Sequence, residues 1–497
     1  MKHFTFLRSR LLPITALFFI LHFSFLASSS AQPGYVPSEA NQAARAEFED
    51  ARFGIFIHWG IYSMLGDGEW AMQVQDMPYS EYSRIAGGFY PSKYNAAEWV
   101  SAIKASGAKY ITITSRHHDG FSMFGTKASP YNIVDATPFK RDVIGELAEE
   151  CHKQGIKLHF YYSHLDWGRE DYYPLGRTGW GTGRAIAAEG HKQLKEEAKD
   201  PNQNGLQPTA DKFKGEGTQL SRSYLDFMNT QLTELLTNYG PIGAIWFDGL
   251  WDQDMYPREA QPHVWNLWEQ YELIHRLQPS CLIGNNHHQL PFEGEDIQIF
   301  ERDIPGQNEA GLSGQEIGRL PLETCQTMNS NWGYRMKDDG YKSATYLIQY
   351  LVRTAGKGAN LLLNIGPRPD GTLPEEAIDR LKAMGEWMNV YGNTIYGTDG
   401  GCIGAQNWGV TTQRDNTLYV HVLESALTTD TGTETVWVEI PKTQNKLKSA
   451  KLFVDGQKVP FKQNKDGISL SLPANLCPPT AADTPDLVVE LTFAKNL

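Results

Sequence analysis

A chain of 497 residues is too long for one typical domain and long enough for a large catalytic domain plus a smaller one. Its formal net charge of −13 excludes the basic face that a phosphate backbone requires, so nucleic acid is not an expected partner. Five cysteines (Cys151, Cys281, Cys325, Cys402, Cys477), odd in number and widely spaced, fit neither a disulfide framework nor a zinc site. Cys151 on a helical pattern, and Cys281 and Cys325 in strand-like runs, are expected as buried thiols.

Residues 1–31 carry Lys2, Arg8 and Arg10, an apolar run from Leu11 to Leu26, and then Ala27-Ser28-Ser29-Ser30-Ala31. This is the pattern of a secretory signal peptide, with a mature start near Gln32 and a periplasmic or extracellular destination. No later stretch is long and apolar enough to span a bilayer, so no membrane span is expected after cleavage.

From there the chain repeats one pattern: a short apolar run that closes on polar or aromatic residues. Phe53-Gly54-Ile55-Phe56-Ile57 ends in His58-Trp59-Gly60, and the loop behind it holds Glu69-Trp70. Asn95 to Ser106 has helical spacing, with Asn95 as cap and Gly107 as stop. The strand from Lys109 to Ser115 ends in Arg116-His117-His118-Asp119-Gly120, an amphipathic helix runs from Arg141 to Gln154, and the strand from Ile156 to Ser163 leads into His164-Leu165-Asp166-Trp167. Residues 168–217 have no clear period and read as a long functional or disordered loop. A helix from Ser221 to Tyr239 leads to Ile242-Gly243-Ala244-Ile245-Trp246-Phe247-Asp248, a strand buried on both faces that delivers a carboxylate at its end. A further helix is predicted from Val264 to Leu277. Strand-like runs at Cys281–Asn285, Asp296–Phe300, Leu322–Thr327 and Asn360–Ile365 raise the strands to eight, with helices at Ser343–Ala355 and Pro374–Tyr391. Alternation with eight strands predicts a (β/α)8 TIM-like barrel, irregular where loops join strands five to seven.

Past Tyr396-Gly397 the pattern changes to short alternating strands with no helix between them, at Leu418–Val422, Val436–Ile440, Ala450–Val454, Ile468–Leu472 and Leu487–Phe493. They predict an antiparallel β-sandwich, read as a structural buttress. The expected domains are therefore 1–31 signal peptide, 32–397 barrel and 398–497 sandwich.

In barrels of this type the active site sits at the carboxyl ends of the strands. Those ends bring together His58, His117, His118, Tyr162, Trp246, Asp248 and, after the sixth strand, Glu301. Two carboxylates can serve as nucleophile and proton donor across a sugar, with imidazoles and a phenol on its hydroxyls and an indole as apolar wall. The chain's 13 Trp and 23 Tyr, many near turns and strand ends, suit stacking on pyranose faces, although core packing must account for most of them.

The motifs Phe56-Ile57-His58-Trp59-Gly60, Arg116-His117-His118-Asp119-Gly120-Phe121, Phe160-Tyr161-Tyr162-Ser163 and Trp246-Phe247-Asp248-Gly249 together resemble the α-L-fucosidases of glycoside hydrolase family 29, over about Phe48 to Tyr396. The resemblance implies a retaining exo-hydrolase that removes terminal α-L-fucose from fucosylated glycans, without metal or cofactor. It implies Asp248 as nucleophile, and as fucose-binding groups His58, His117, His118, the pair Glu69 and Trp70, and Tyr162, with Tyr161 as the alternative one residue away. Glu301 falls at the acid/base position, with Asp303, Glu295 and Glu309 as competitors. Where many similar members carry an arginine after strand five, this chain has Gly284-Asn285-Asn286-His287-His288, so the two asparagines or His288 are expected in its place; Asn286 and His288 are taken as substrate-binding. Two other readings stand beside this one. His58, His117, His118 and Asp119 could be ligands of a metal hydrolase, or the barrel could be a fucose-binding, lectin-like protein without catalysis.

Overall fold

A computed structural model describes residues 34–75, 77–169, 171–172, 222–253, 258–423, 435–443, 445–478 and 484–497. The predicted signal peptide and nearly all of the 168–217 loop lie outside them. Among the described residues no helix is long and apolar enough to cross a membrane.

Eight parallel strands form one sheet: β1 Phe53–Ile57, β2 Tyr110–Arg116, β3 Lys157–Ser163, β4 Ala244–Asp248, β5 Leu282–Asn286, β6 Gln298–Glu301, β7 Leu322–Thr327 and β8 Ala359–Ile365. Their spatial order, β5-β4-β3-β2-β1-β8-β7-β6, is chain order wrapped round, with β1 paired to both β2 and β8. Between β5 and β6 the barrel closes through a single bridge, Gly284 to Ile297. Asp296 reinforces that junction: its Oδ2 accepts the Ile283 amide at 2.8 Å and faces His275 Nε2 at 3.0 Å, while its Oδ1 accepts Arg45 Nε at 3.0 Å.

The strands are hydrophobic on both faces because both are covered, and residues two apart point the same way. Phe56, Tyr110, Tyr161, Trp246, Leu282, Ile299, Cys325 and Leu362 form the cluster inside the barrel. Their neighbours, such as Ile55, Ile57, Phe160, Tyr162, Ile245 and Phe247, pack outward against the helices.

The helices follow their sequence signals. Ser38, Asn95, Asp142 and Ser343 cap α1 (Glu39–Ala51), α2 (Ala96–Ala105), α3 (Val143–Gln154) and α6 (Ala344–Ala355) through their side-chain oxygens. Gly155 ends α3 in the left-handed region at φ 72°. The remaining long helices are α4 (Arg222–Asn238), α5 (Leu267–Leu277) and α7 (Glu375–Tyr391). Two features depart from the sequence reading. The polar lead before β1 is a helix, α1, whose Phe48 enters the amino-terminal end of the barrel against Tyr110 at 5.4 Å. The helix predicted from Val264 to Leu277 is broken, because Asn266 takes φ 50° and separates a short turn, Gln261–Val264, from α5.

The carboxyl-terminal part is a sandwich of two antiparallel sheets. One has the order β13-β16-β11-β10-β9 (Leu447–Leu452, Leu487–Phe493, Thr417–Val422, Gly409–Arg414, Asp399–Gly400) and the other β12-β15-β14 (Thr435–Pro441, Gly467–Pro473, Phe461–Gln463). β9, β10 and β14 were not predicted, and the strand expected to reach Val454 stops at Leu452, before a turn. Val436, Val438 and Ile440 alternate inward against Ile468, Leu470 and Leu472. The sandwich leans on α6, where Gln349 Nε2 donates to the carbonyls of Leu423 and Pro485, each at 2.9 Å.

Candidate active site

A cavity of about 320 Å³ opens at the carboxyl ends of the strands. His58, Glu69, Trp70, His117, His118, Trp246, Asp248, Asn286, His288 and Glu301, ten of the residues proposed from sequence, all line it. A larger hollow of about 450 Å³ lies at the opposite end between α1 and the barrel, away from the carboxyl ends of the strands; of its two acids, Glu47 and Asp50, the first is paired with Lys157 at 3.1 Å. Chemistry, and not size, selects the smaller one.

Tyr162 is the correction. Its position along β3 has the parity of Phe160, so its ring points to the helix layer and its hydroxyl donates to Gln231 Oε1 at 2.8 Å. Tyr161 faces the cavity instead, and its hydroxyl donates to Asp248 Oδ2 at 2.9 Å.

Asp248 closes β4, and three side chains donate to it: Tyr161, the Trp251 indole N–H at 3.1 Å and, more weakly, Asn286 Nδ2 at 3.4 Å. The same Asn286 nitrogen lies 2.8 Å from Glu301 Oε2. One amide thus bridges both carboxylates, and its two contacts hold those oxygens within about 6 Å of each other. His288 Nε2 stands 3.8 Å from Glu301.

Burial pushes the pKa of both acids up. The hydrogen bonds from Tyr161 and Trp251 counter this at Asp248, whereas the charge of Asp248 adds to it at Glu301. At Glu301 the neighbouring His288 and the Asn286 amide pull the other way, so Asp248, which accepts the larger number of hydrogen bonds, is the better placed of the two to carry the charge. The competing acids are occupied elsewhere. Glu295 accepts from Tyr271 and faces His287, Asp303 accepts the Glu309 and Ala310 amides, and Glu309 itself is exposed; none lines the cavity.

The histidines are held as neutral acceptors. His58 Nδ1 faces the Asn364 side-chain oxygen at 2.7 Å, and since the Asn364 amide group donates to the Trp332 carbonyl, that histidine nitrogen carries the hydrogen. His118 Nδ1 likewise donates to Ser163 Oγ at 2.7 Å, because the Ser163 hydroxyl is spent on the Leu165 carbonyl. Burial pushes both imidazoles down to about 3, leaving each Nε2 as a lone pair. His118 Nε2 lies 3.5 Å from Asp248. The proposed metal set does not converge: Asp119 turns away to accept the Tyr82 hydroxyl at 2.6 Å, and among the described residues no group of three His, Cys, Asp or Glu side chains is placed to hold an ion.

Aromatic rings make the rest of the wall. Trp70 stacks on Trp251 (6.0 Å, 23°), and Trp332 packs against His58 at 5.3 Å. Glu69 is anchored by the Gly333 amide at 2.7 Å. Sequence reasoning missed Trp251, Trp332 and Leu312. The first could have been found three residues after Asp248; the other two come from irregular loops that carry no periodic signal.

The fold and geometry agree with comparisons to known proteins. A profile described as "Alpha-L-fucosidase" matches residues 23–393. The α-L-fucosidase of Dictyostelium discoideum is 27% identical over 465 residues, 86% of this chain and 88% of that one. α-L-fucosidase isoenzyme 1 from Paenibacillus thiaminolyticus superposes with a TM-score of 0.72 at 31% identity, over 92% of this chain and all of the other. A Thermotoga maritima α-fucosidase, solved in complex with a mechanism-based inhibitor, gives 0.65 at 25% identity over 90% and 96%. Because the matching profile runs across all eight barrel strands, the chain belongs to the α-L-fucosidase family, and it is a glycoside hydrolase.

Proposed function

We propose that the enzyme is a retaining exo-α-L-fucosidase that cleaves terminal α-L-fucose from fucosylated glycans in two displacements. Asp248 attacks the anomeric carbon while Glu301 gives its proton to the leaving oxygen; water then hydrolyses the glycosyl ester with Glu301 as base. The observation that carries this is the Asn286 bridge. Its contacts of 3.4 and 2.8 Å cap the separation of the two bridged oxygens at about 6 Å, which favours the short spacing of retaining enzymes, roughly 5 to 5.5 Å, over the roughly 6.5 to 9.5 Å that leaves room for an inverting water. The mechanism-based inhibitor bound by the Thermotoga relative supports the same reading.

The neutral His58 and His118 offer acceptors to sugar hydroxyls, and Phe56 with Trp246, edge to face at 5.1 Å, supply an apolar patch for the C5 methyl of fucose. That methyl contributes only about 1 to 3 kcal/mol of discrimination, so the polar contacts select the sugar. We place the enzyme outside the cytoplasm, with a mature amino terminus near Gln32 that sequencing of the secreted product would read, and we assign the sandwich as a support.

The test is hydrolysis of 4-nitrophenyl α-L-fucoside, with the first-formed anomer followed by NMR. The expected product is α-fucose, with turnover abolished in Asp248→Ala and indifferent to chelator. A β-anomer would exclude retention, loss on chelation would revive the metal reading, and fucose binding without any hydrolysis would leave the lectin-like one.

A further inference from the structure

Beneath the cavity floor, Glu323 of β7 points into the barrel interior and is 1% exposed. Its Oε1 accepts the Trp246 indole N–H at 2.9 Å and its Oε2 accepts the Tyr110 hydroxyl at 2.6 Å. Among the described residues no cation contributes to its environment, and burial pushes it up to about 7. A carboxyl group so placed is unfavourable where a leucine would fill the same space, so its presence calls for a reason beyond packing.

The reason lies in what stands on Trp246. Its indole stacks on Tyr161 (5.6 Å, 24°), and Tyr161 stacks on His117 (5.4 Å, 11°). Three rings thus form a continuous pile that ends in groups facing the sugar, and the middle ring carries the hydroxyl bound to Asp248. An indole N–H can only donate, and at this depth its acceptor fixes which way the ring lies. We propose that Glu323 is a positioning residue for the fucose subsite: it clamps the Trp246 N–H and, through the ring pile, aims the Tyr161 hydroxyl at Asp248. This rests on Asp248 being the nucleophile.

The experiment compares Glu323→Leu with Glu323→Gln on 4-nitrophenyl α-L-fucoside, with Asp248→Ala in parallel. In the glutamine variant the side-chain oxygen still accepts from Trp246, and its amide can face the Tyr110 oxygen. The expected result is a kcat about 10- to 100-fold lower for the leucine variant with KM changed little, and rescue by glutamine to within about threefold of the parent. A merely structural role would lower the melting temperature while leaving kcat of the folded protein intact. Leucine within twofold of the parent, or glutamine as damaged as leucine, overturns the proposal.

If the leucine variant does not fold, Trp246→Phe deletes the N–H while keeping a ring; the same fall in kcat is expected, and an unchanged kcat overturns the proposal. An independent readout is the indole resonance of ¹⁵N-tryptophan-labelled protein, identified by its loss in Trp246→Phe. Measured at about pH 9, where Glu323 is ionised, it should shift upfield in Glu323→Gln, in which the acceptor loses its charge, and stay in place in Asp248→Ala; no shift in Glu323→Gln at that pH overturns the clamp. An active Asp248→Ala would overturn the nucleophile assignment alone, since the indole readout does not depend on it.

Discussion

The inside of the barrel and the inside of the sandwich are both buried, yet they are made of different material. The sandwich core is chiefly apolar, with Val438, Ile468, Leu470 and Leu472 all at 0% exposure, and the ionisable groups buried in it are paired to each other, His421 Nδ1 to Asp486 Oδ2 at 2.7 Å. The barrel holds His58, His117, His118, Asp248, Glu301 and Glu323 among its inward groups, and His117 Nδ1, Asn286 Oδ1 and His288 Nδ1 are buried with no hydrogen-bond partner among the described residues. The first arrangement favours stability and the second opposes it, because buried polar atoms without partners lose their hydration. The lesson is that the barrel interior is organised for a ligand that supplies the missing partners, and that the fold tolerates this because its apolar layers lie elsewhere.

Substitutions can break or sharpen the contrast. The largest effect belongs to Glu301→Ala, which should slow substrates with poor leaving groups by about 10²- to 10⁴-fold, slow activated aryl fucosides much less, and be rescued by azide. Equal slowing for every leaving group would move the proton donor elsewhere. Next, Leu470→Ala in the sandwich should cost about 2 to 5 kcal/mol in denaturant titration while kcat of the folded protein stays at the parent value. A fall in kcat would mean that the two cores are not separable.

The smallest effect is electrostatic. The charge of Asp248 helps to hold Glu301 above the usual carboxylate range, so Asp248→Asn should lower the Glu301 pKa, because the acid then ionises without a negative neighbour. A ¹³C titration of the Glu301 carboxyl would show it, and an unmoved midpoint would mean that burial alone sets the value. In the parent enzyme the same pair predicts a bell-shaped profile: activity falls at high pH as Glu301 gives up its proton, and at low pH as Asp248 gains one.

Much of this was legible in the sequence, because each barrel strand closes on its functional group. The apolar run and the residue after it were enough to place His58, Asp248 and Glu301. What failed did so for identifiable reasons. Tyr161 and Tyr162 differ by one residue in a strand buried on both faces, so hydrophobicity gives no parity and only the packing decides which ring turns inward. β14 is a three-residue edge with every residue exposed and has no alternation to detect. Trp332 reaches the cavity from a loop, and α1 is polar on average and buries Phe48 as its one apolar side chain, so little in its composition separates it from a polar linker.

The junction between β5 and β6 has a mechanical meaning. Asn286 ends one of these strands and Glu301 the other, so the gap between proton donor and nucleophile spans the only join in the described barrel made by one bridge instead of a full ladder. Elsewhere a full ladder of backbone hydrogen bonds fixes the spacing; here the Ile283 carbonyl accepts the Asp296 and Ile297 amides, and side chains such as Asp296 and Asn286 supply the rest. The separation of the two carboxylates therefore depends more on individual side chains than the strand spacings held by full ladders do, so substitutions at Asp296 or Asn286 reach it without touching the rest of the sheet.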